Sequence, residues 1–190
     1  MKIEEIEQNL IEYINSQGGI VTSLGKISFT NSDRIGQGGN GLVYIATINK
    51  KEIAIKFLIS DSERKQTRFK SEYFNTNYVR DELKNVVNMI HYGELKIQEG
   101  IVIPYIIMTN YSKNLKKYRK EKCEIGEKDF SNLVSFLFTT LNLIHKKGIV
   151  HGDLDPRNIL ISRVAGSKNL VTKLIDFSDL SLIHISEPTR

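Results

Sequence analysis

The chain has 190 residues and carries 27 Lys+Arg against 22 Asp+Glu, a formal charge of +5. At about 150 residues per domain it is one domain, or one and a fragment, able to bury on the order of 70% of its unfolded surface without a metal or disulfide staple. A composition 40% hydrophobic and 26% charged excludes wholesale disorder and collagen-like structure, and the single cysteine, Cys123, excludes an internal disulfide and favours a reducing compartment.

Met1-Lys2-Ile3-Glu4-Glu5 lacks the basic-then-apolar order of a secretory signal. Ile3, Ile6, Leu10 and Ile14 then recur at steps of three and four with glutamates between them, which predicts an amphipathic helix ended by Gly18-Gly19. This helix is expected to dock on the rest of the fold. Residues 20–58 change to short runs rich in Ile, Val, Phe and Thr punctuated by glycine, a meander of antiparallel strands. The charged stretch Ser60 to Lys84 follows, with Phe69, Tyr73 and Phe74 expected on one helix face. Val86 to Tyr92 and Ile101 to Met108 are strand candidates separated by the turn-like Gln98-Glu99-Gly100. The second of these is the longest apolar run; Pro104 interrupts it, and it is far short of the roughly 20 residues that cross a bilayer.

Phe130, Leu133, Val134, Leu137, Phe138, Leu141 and Ile144 form a helical stripe, predicting a buried helix that Gly148 ends. Strands are expected at Ile149-Val150, Ile159 to Ser162 and Leu170 to Ile175, with a turn over Ala165-Gly166-Ser167-Lys168-Asn169. A strand-rich first half with one inserted helix, followed by a helix-led second half, gives an α+β class. The basic residues are spread and interleaved with acids, so no nucleic-acid partner is expected. The positive balance still favours an anionic ligand such as a nucleotide.

Gly36-Gln37-Gly38-Gly39-Asn40-Gly41-Leu42-Val43 fits G-x-G-x-x-G-x-V. Glycines let backbone N–H groups approach phosphate oxygens, although a glycine-rich hairpin turn accounts for the match equally well. A dinucleotide fold requires a helix directly after the loop, whereas Leu42 to Thr47 continues as strand. Ile53-Ala54-Ile55-Lys56 occupies the next predicted strand. A phosphate-holding lysine is a flexible point charge that needs an acidic partner to fix it. Glu72, on the following helix, is preferred over Glu63, which lies too near the helix start.

His151-Gly152-Asp153-Leu154-Asp155-Pro156-Arg157-Asn158 sits between two short strands. A capping or turn cluster accounts for one Asp and for Asn158, not for the whole order. In Lys173-Leu174-Ile175-Asp176-Phe177-Ser178 an acid again follows an apolar strand. Hard oxygen ligands of this kind suit Mg²⁺ bridging nucleotide phosphates.

These four motifs, in this order, resemble the N-terminal portion of a protein kinase catalytic domain of the Ser/Thr type over residues 25 to 179. The resemblance implies a two-lobed α+β fold, ATP and Mg²⁺ as cofactors, and a protein hydroxyl as acceptor. It implies that Ile35, Val43 and Ala54 cover the adenine with Leu160 beneath, and that Gly36, Gly38 and Gly41 serve the phosphates. Met108 would be the gatekeeper, with the backbone of Thr109 and Tyr111 bonding the base. Lys56, paired with Glu72, would hold the α/β-phosphates; Asp153 would be the catalytic base, and Asn158 and Asp176 the metal ligands. Gly152 stands where many kinases have Arg, Asp155 where Ser/Thr kinases have a phosphate-contacting Lys, and Ser178 where the metal-binding D-F-G has its Gly. His-Gly-Asp-Leu also resembles the catalytic loop of aminoglycoside- and choline-type kinases, so a small-molecule acceptor is an alternative, as is a pseudokinase scaffold.

The expected organisation is a helical extension over 1–19, an N lobe and hinge over 20–111, the start of a C lobe over 112–179, and a tail over 180–190. Leu180-Ser181-Leu182-Ile183-His184-Ile185-Ser186-Glu187-Pro188-Thr189-Arg190 resembles the translation of a transposon-end sequencing adapter. The native frame is therefore expected to continue past Asp179, with the chain as given truncated, partly exposed along the Phe130–His145 stripe, and inactive by itself. A cytoplasmic location is expected.

Overall fold

The computed structural model describes residues 3–38, 41–60, 62–98, 101–121, 125–163, 170–178 and 181–182. Gly39 and Asn40, the turn residues Glu99 and Gly100, Cys123, the 165–169 turn, Asp179, Leu180 and residues 183–190 lie outside them. The elements run α1 (Ile3–Gln17), β1 (Ile20–Thr22), β2 (Gly25–Ser28), β3 (Arg34–Gly38), β4 (Gly41–Ile48), β5 (Lys51–Leu58), α2 (Glu63–Glu82), β6 (Met89–Gln98) and β7 (Ile101–Thr109). They continue with β8 (Lys113–Asn114), α3 (Leu115–Lys120), α4 (Glu127–Lys146), β9 (Ile149–Val150), β10 (Ile159–Arg163), β11 (Leu170–Leu174) and β12 (Ser181–Leu182). The class is α+β, as expected. The chain divides into two compact units, Met1–Lys70 with Met89–Asn110, and Ser71–Asn88 with Tyr111–Arg190.

The first unit is an antiparallel sheet in the order β1-β2-β4-β5-β7-β6, with β3 paired to β4. Strand residues alternate between faces. Leu42, Tyr44 and Ala46 of β4, Ile53, Ile55 and Phe57 of β5, and Ile103, Tyr105 and Ile107 of β7 form one apolar core. Leu10 and Ile14 of α1 seal it, as the steps of three and four required, so this helix docks on the sheet. Phe57 sits among the rings of Phe29, Tyr44 and Tyr105, with centroids 5.7–6.1 Å away.

The second unit gathers Val79 and Leu83 of α2, Leu115 and Tyr118 of α3, Leu133 and Ile144 of α4, Ile149, Ile159, Ile161, Leu174 and Phe177. Two small antiparallel sheets, β11-β10-β8 and β12-β9, carry its loops. The short α3, which periodicity did not reveal, starts where the Asn114 side chain accepts a hydrogen bond from the Lys117 amide at 2.8 Å.

Three expectations are corrected. β6 begins at Met89 and runs to Gln98, because Val86 instead forms a lone parallel bridge with Leu174 while Gly93 to Gln98 completes the pairing with β7. In α2, Phe74 is 55% exposed; the buried face is Phe69, Glu72, Thr76, Val79 and Leu83, so two polar residues take positions where the search for apolar periodicity looked for aromatics. The α4 helix, expected to be buried, is buried at Leu133, Thr140 and Ile144 and exposed at Phe130, Val134 and Phe138, the partial exposure expected along its stripe. Thr140 is drawn inward by the Asn85 side chain, which donates to its hydroxyl at 2.9 Å, while that hydroxyl donates to the Phe136 carbonyl at 2.6 Å.

Candidate active site

In the first unit, the face of the sheet opposite the α1-covered core carries the residues expected to meet a nucleotide. Val43 pairs with Lys56, Ile45 with Ala54, and Ala54 with Met108, and all of these alternate with core residues. Ala54 and Met108 are buried, while Val43 and Lys56 are half-buried. Thr109 ends β7 opposite Ile53. The Lys56 ammonium lies 5.6 Å from the ring centroid of Phe69 at the start of α2, a cation–π contact that restrains the flexible stem.

The glycines differ in their reasons. A Cβ on Gly41 would stand 2.5 Å from the Phe57 carbonyl oxygen, so the approach of β4 to β5 alone demands glycine there. A Cβ on Gly36 would meet only Val43, at an ordinary 3.7 Å. Packing therefore does not require glycine at position 36. Gly38 closes β3 opposite Gly41, and Ile35 lies in a β-bulge, the register shifting between Arg34 and Gly36.

In the second unit, His151 organises the loops. It is 2% exposed, and its Nε2 lies 2.9 Å from the Ile175 carbonyl, an acceptor, so Nε2 carries the proton. Nδ1 is then the acceptor of the Asp153 amide at 3.3 Å. Both bonds are met by the neutral ring, and burial pushes its pKa below the usual histidine value. The ring also packs on Phe177, centroids 4.6 Å apart. Glycine is required next, because φ at Gly152 is +80°.

Asn158 completes the lock. Its Nδ2 donates to the Asp153 carbonyl at 2.9 Å and to Asp153 Oδ2 at 3.2 Å, while its own carbonyl accepts from the Ile175 amide at 3.0 Å. Phe177 is held from α2, the Asn75 side chain donating to its carbonyl at 3.0 Å. Asp176 takes φ of +66°, the left-handed region, and the amide of Ser178 points at its Oδ1 at 3.4 Å. The positive φ thus falls on Asp176; the serine that replaces the expected glycine needs none. Leu160, half-buried on β10, pairs with Asn114 and Lys173. Tyr111 is half-buried.

Asp155 turns out to be the capping acid. It accepts from the Arg157 amide at 2.8 Å and from Arg157 Nε at 2.6 Å, opening the 3-10 turn Pro156–Asn158. The hydrogen bond from Arg157 holds its carboxyl below the usual carboxylate range. The partner that neutralises it was overlooked in the sequence, although a guanidinium two residues on was the available signal.

The structure therefore joins Asp153 and Asn158 by hydrogen bonds and ties both to Ile175, the residue before Asp176, and it lines Val43, Ala54, Lys56 and Met108 on one sheet face. Glu72, 4% exposed, lies one helical turn beyond Phe69 on the buried face of α2, while Glu63 stands exposed at the helix start. No group of three or more His, Cys, Asp and Glu positioned for a metal occurs among the described residues. A Mg²⁺ that takes one carboxylate, one amide oxygen and phosphate oxygens needs no such group, and the donors Asp176 and Asn158 fit it.

A glycine-bearing antiparallel sheet with an inserted lysine, followed by a histidine-locked acidic loop, defines a kinase-like catalytic domain. The protein kinase domain profile matches residues 29–187, and the chain belongs to the protein kinase family. That match starts after α1, β1 and β2 and extends past residue 179, into the segment set apart in the sequence. A probable serine/threonine-protein kinase of Clostridium acetobutylicum is 31% identical over 136 residues, 68% of this chain and 20% of that protein. The probable serine/threonine-protein kinase PknB of Lactococcus lactis is 27% identical over 134 residues, 67% of this chain and 20% of its own length. U-box domain-containing protein 70 of Oryza sativa is 29% identical over 154 residues, 79% of this chain and 18% of that protein. The chain spans about a fifth of the length of these relatives. No helix among the described residues is long and apolar enough to cross a membrane.

Proposed function

We propose that the chain carries the nucleotide-binding and catalytic-loop portion of a Ser/Thr protein kinase, with residues 20–111 as N lobe and hinge and 112–179 as the start of the C lobe. The observation that carries this reading is the His151–Asn158 lock, which fixes the Asp153 carboxylate by Asn158 and ties the loop to Ile175, the residue before Asp176. In this reading Asp153 orients the acceptor hydroxyl and takes its proton, with Asn158 Nδ2 holding its side chain in place. Lys56, paired with Glu72, positions the α/β-phosphates. In the first unit the sheet face of Ile35, Val43, Ala54 and Met108 and the backbone of Thr109 serve the adenine, and the amides around Gly36, Gly38 and Gly41 meet phosphate oxygens; in the second unit Leu160 and the backbone of Tyr111 serve the base. Asp176 and the Asn158 amide oxygen would hold Mg²⁺, which when bound would supply neutralisation of charge on the phosphates.

Radiolabelled ATP and a Ser/Thr acceptor protein, used with the full-length protein, test the assignment. Asp153→Asn and Lys56→Met are each expected to lower transfer by about 10²-fold or more. Undiminished transfer in both overturns the roles, and nucleotide binding with no turnover in the unmodified protein would return the scaffold reading. A small-molecule acceptor is favoured by one feature: the φ of +80° at Gly152, a conformation strained for the Arg that many protein kinases place there. Inhibition of protein phosphorylation by a cationic amino-sugar or choline would select it.

A further inference from the structure

α1 and the β1–β2 hairpin precede the family-matched region, which begins at residue 29, so they are an addition of this chain to the fold. They are nonetheless built into the same core as the sheet: Leu10, Ile14, Ile20 and Ile27 are each at most 2% exposed. Glu7 precedes Leu10 by three positions and Ile14 by seven, which sets it on the docked face of α1. Its carboxylate accepts from Arg34 Nη1 at 2.7 and 2.9 Å and from the Tyr44 hydroxyl at 2.7 Å. Tyr44 is fully buried, and burial, reinforced by Glu7, pushes its pKa up, so the phenol stays a donor.

Both partners sit at one critical point. Arg34 and Tyr44 are opposite each other across β3 and β4, and the next pair is Gly36 with Val43. The extra residue, Ile35, lets Arg34 share the core face of Tyr44 while Gly36 lies opposite Val43 on the other face. Strands rich in glycine specify their register weakly, because few side chains resist a slip. β3 carries Gly36 and Gly38, so the anchor at Arg34 supplies what the glycines do not.

We propose that Glu7 is a positioning residue for the glycine strand: by holding Arg34 and Tyr44 it fixes the bulge at Ile35, and thereby the direction of the Gly36–Gly38 backbone, so that α1 sets nucleotide affinity from the far face of the sheet. The nucleotide part of this inference rests on the function proposed above. A carboxylate is required because both partners donate, and charge-assisted bonds of this kind are about twice as strong as neutral ones. Glutamine offers one acceptor oxygen and no charge.

Two readouts separate the clamp from the nucleotide reading: amide hydrogen exchange at Gly36–Gly38 without ligand, and equilibrium titration with Mg-ATP. Glu7→Gln and Tyr44→Phe, with melting curves as a fold check, are compared with the unmodified chain. Exchange at Gly36–Gly38 is expected to quicken, with β5 and β7 amides unchanged, and ATP binding to weaken by about tenfold, the lower end of the range for losing one hydrogen bond to a charged group. In the full-length protein at steady state the KM for ATP rises while kcat holds. Unchanged exchange at Gly36–Gly38 in variants that melt cooperatively overturns the proposal, as does faster exchange with undiminished ATP affinity. Should Glu7→Gln fail to fold, Tyr44→Phe, which keeps the ion pair, decides by the same criteria. Faster exchange in a chain that binds no ATP upholds the clamp and overturns the proposed function instead.

Discussion

The two units bury different kinds of residue. Every buried polar or charged side chain found among the described residues, namely Glu72, Thr76, Thr140, His151 and Asn158, belongs to the second unit. The first unit packs Ile, Leu, Phe and Ala around a few aromatic rings, and the ionic contact of Glu7 with Arg34 is at the margin of the core. The difference teaches where each unit keeps its chemistry. The sheet carries the residues proposed to meet nucleotide on the face turned away from its core, so the core is free to be an apolar scaffold. The second unit holds its functional loops by hydrogen bonds that run through the interior, and there a polar group is tolerated only with its partners in place.

Substitutions can break this contrast or sharpen it. Phe57→Ala in the first core removes a ring enclosed by three others and is expected to destabilise by about 3–5 kcal/mol in chemical denaturation, with no dependence on pH near neutrality. His151 is expected to give the second unit a pH dependence the first lacks. Its folded pKa is depressed by burial, so the neutral ring is the native form and the unfolded chain binds the extra proton. Stability from this residue is complete above the ordinary histidine value of 6.5 and is lost as the pH falls from there toward the lower folded value. Melting between pH 7.5 and 5.5 checks it, and His151→Asn is expected to flatten the slope. Thr76 tests the rule of satisfied polar groups from the other side, because its hydroxyl is fully buried and has no partner among the described residues. Thr76→Val is expected to raise stability by up to about 1 kcal/mol. The smallest effect belongs to Phe138, 79% exposed on α4: Phe138→Ser is expected to move the melting free energy by no more than about 0.5 kcal/mol.

The elements that the sequence revealed are those whose core is apolar. α1, the β4–β5 pair and the existence of α4 followed from spacing, because periodic burial of Leu, Ile and Phe is what periodicity detects. α2 hid its inner face, since Glu72 and Thr76 interrupt the apolar pattern that marks a buried helix surface. The motifs from Gly36 to Asp176 were legible as chemistry, and the shared face of Val43, Ala54, Lys56 and Met108 follows from alternation once strand register is known. What could not be read was the wiring. Asp155 looked like an acid facing phosphate until Arg157 Nε was found on its carboxylate, and nothing in one dimension pairs Glu7 with Arg34.

The left-handed backbone at Asp176 sets thermal endurance against reactivity at a single position. Glycine there would relax the main chain while deleting the carboxylate proposed above to hold a divalent ion, so that variant should survive heating better than its parent. A screen for heat-resistant variants of this domain would therefore drift toward disarmed catalysts unless turnover were selected at the same time.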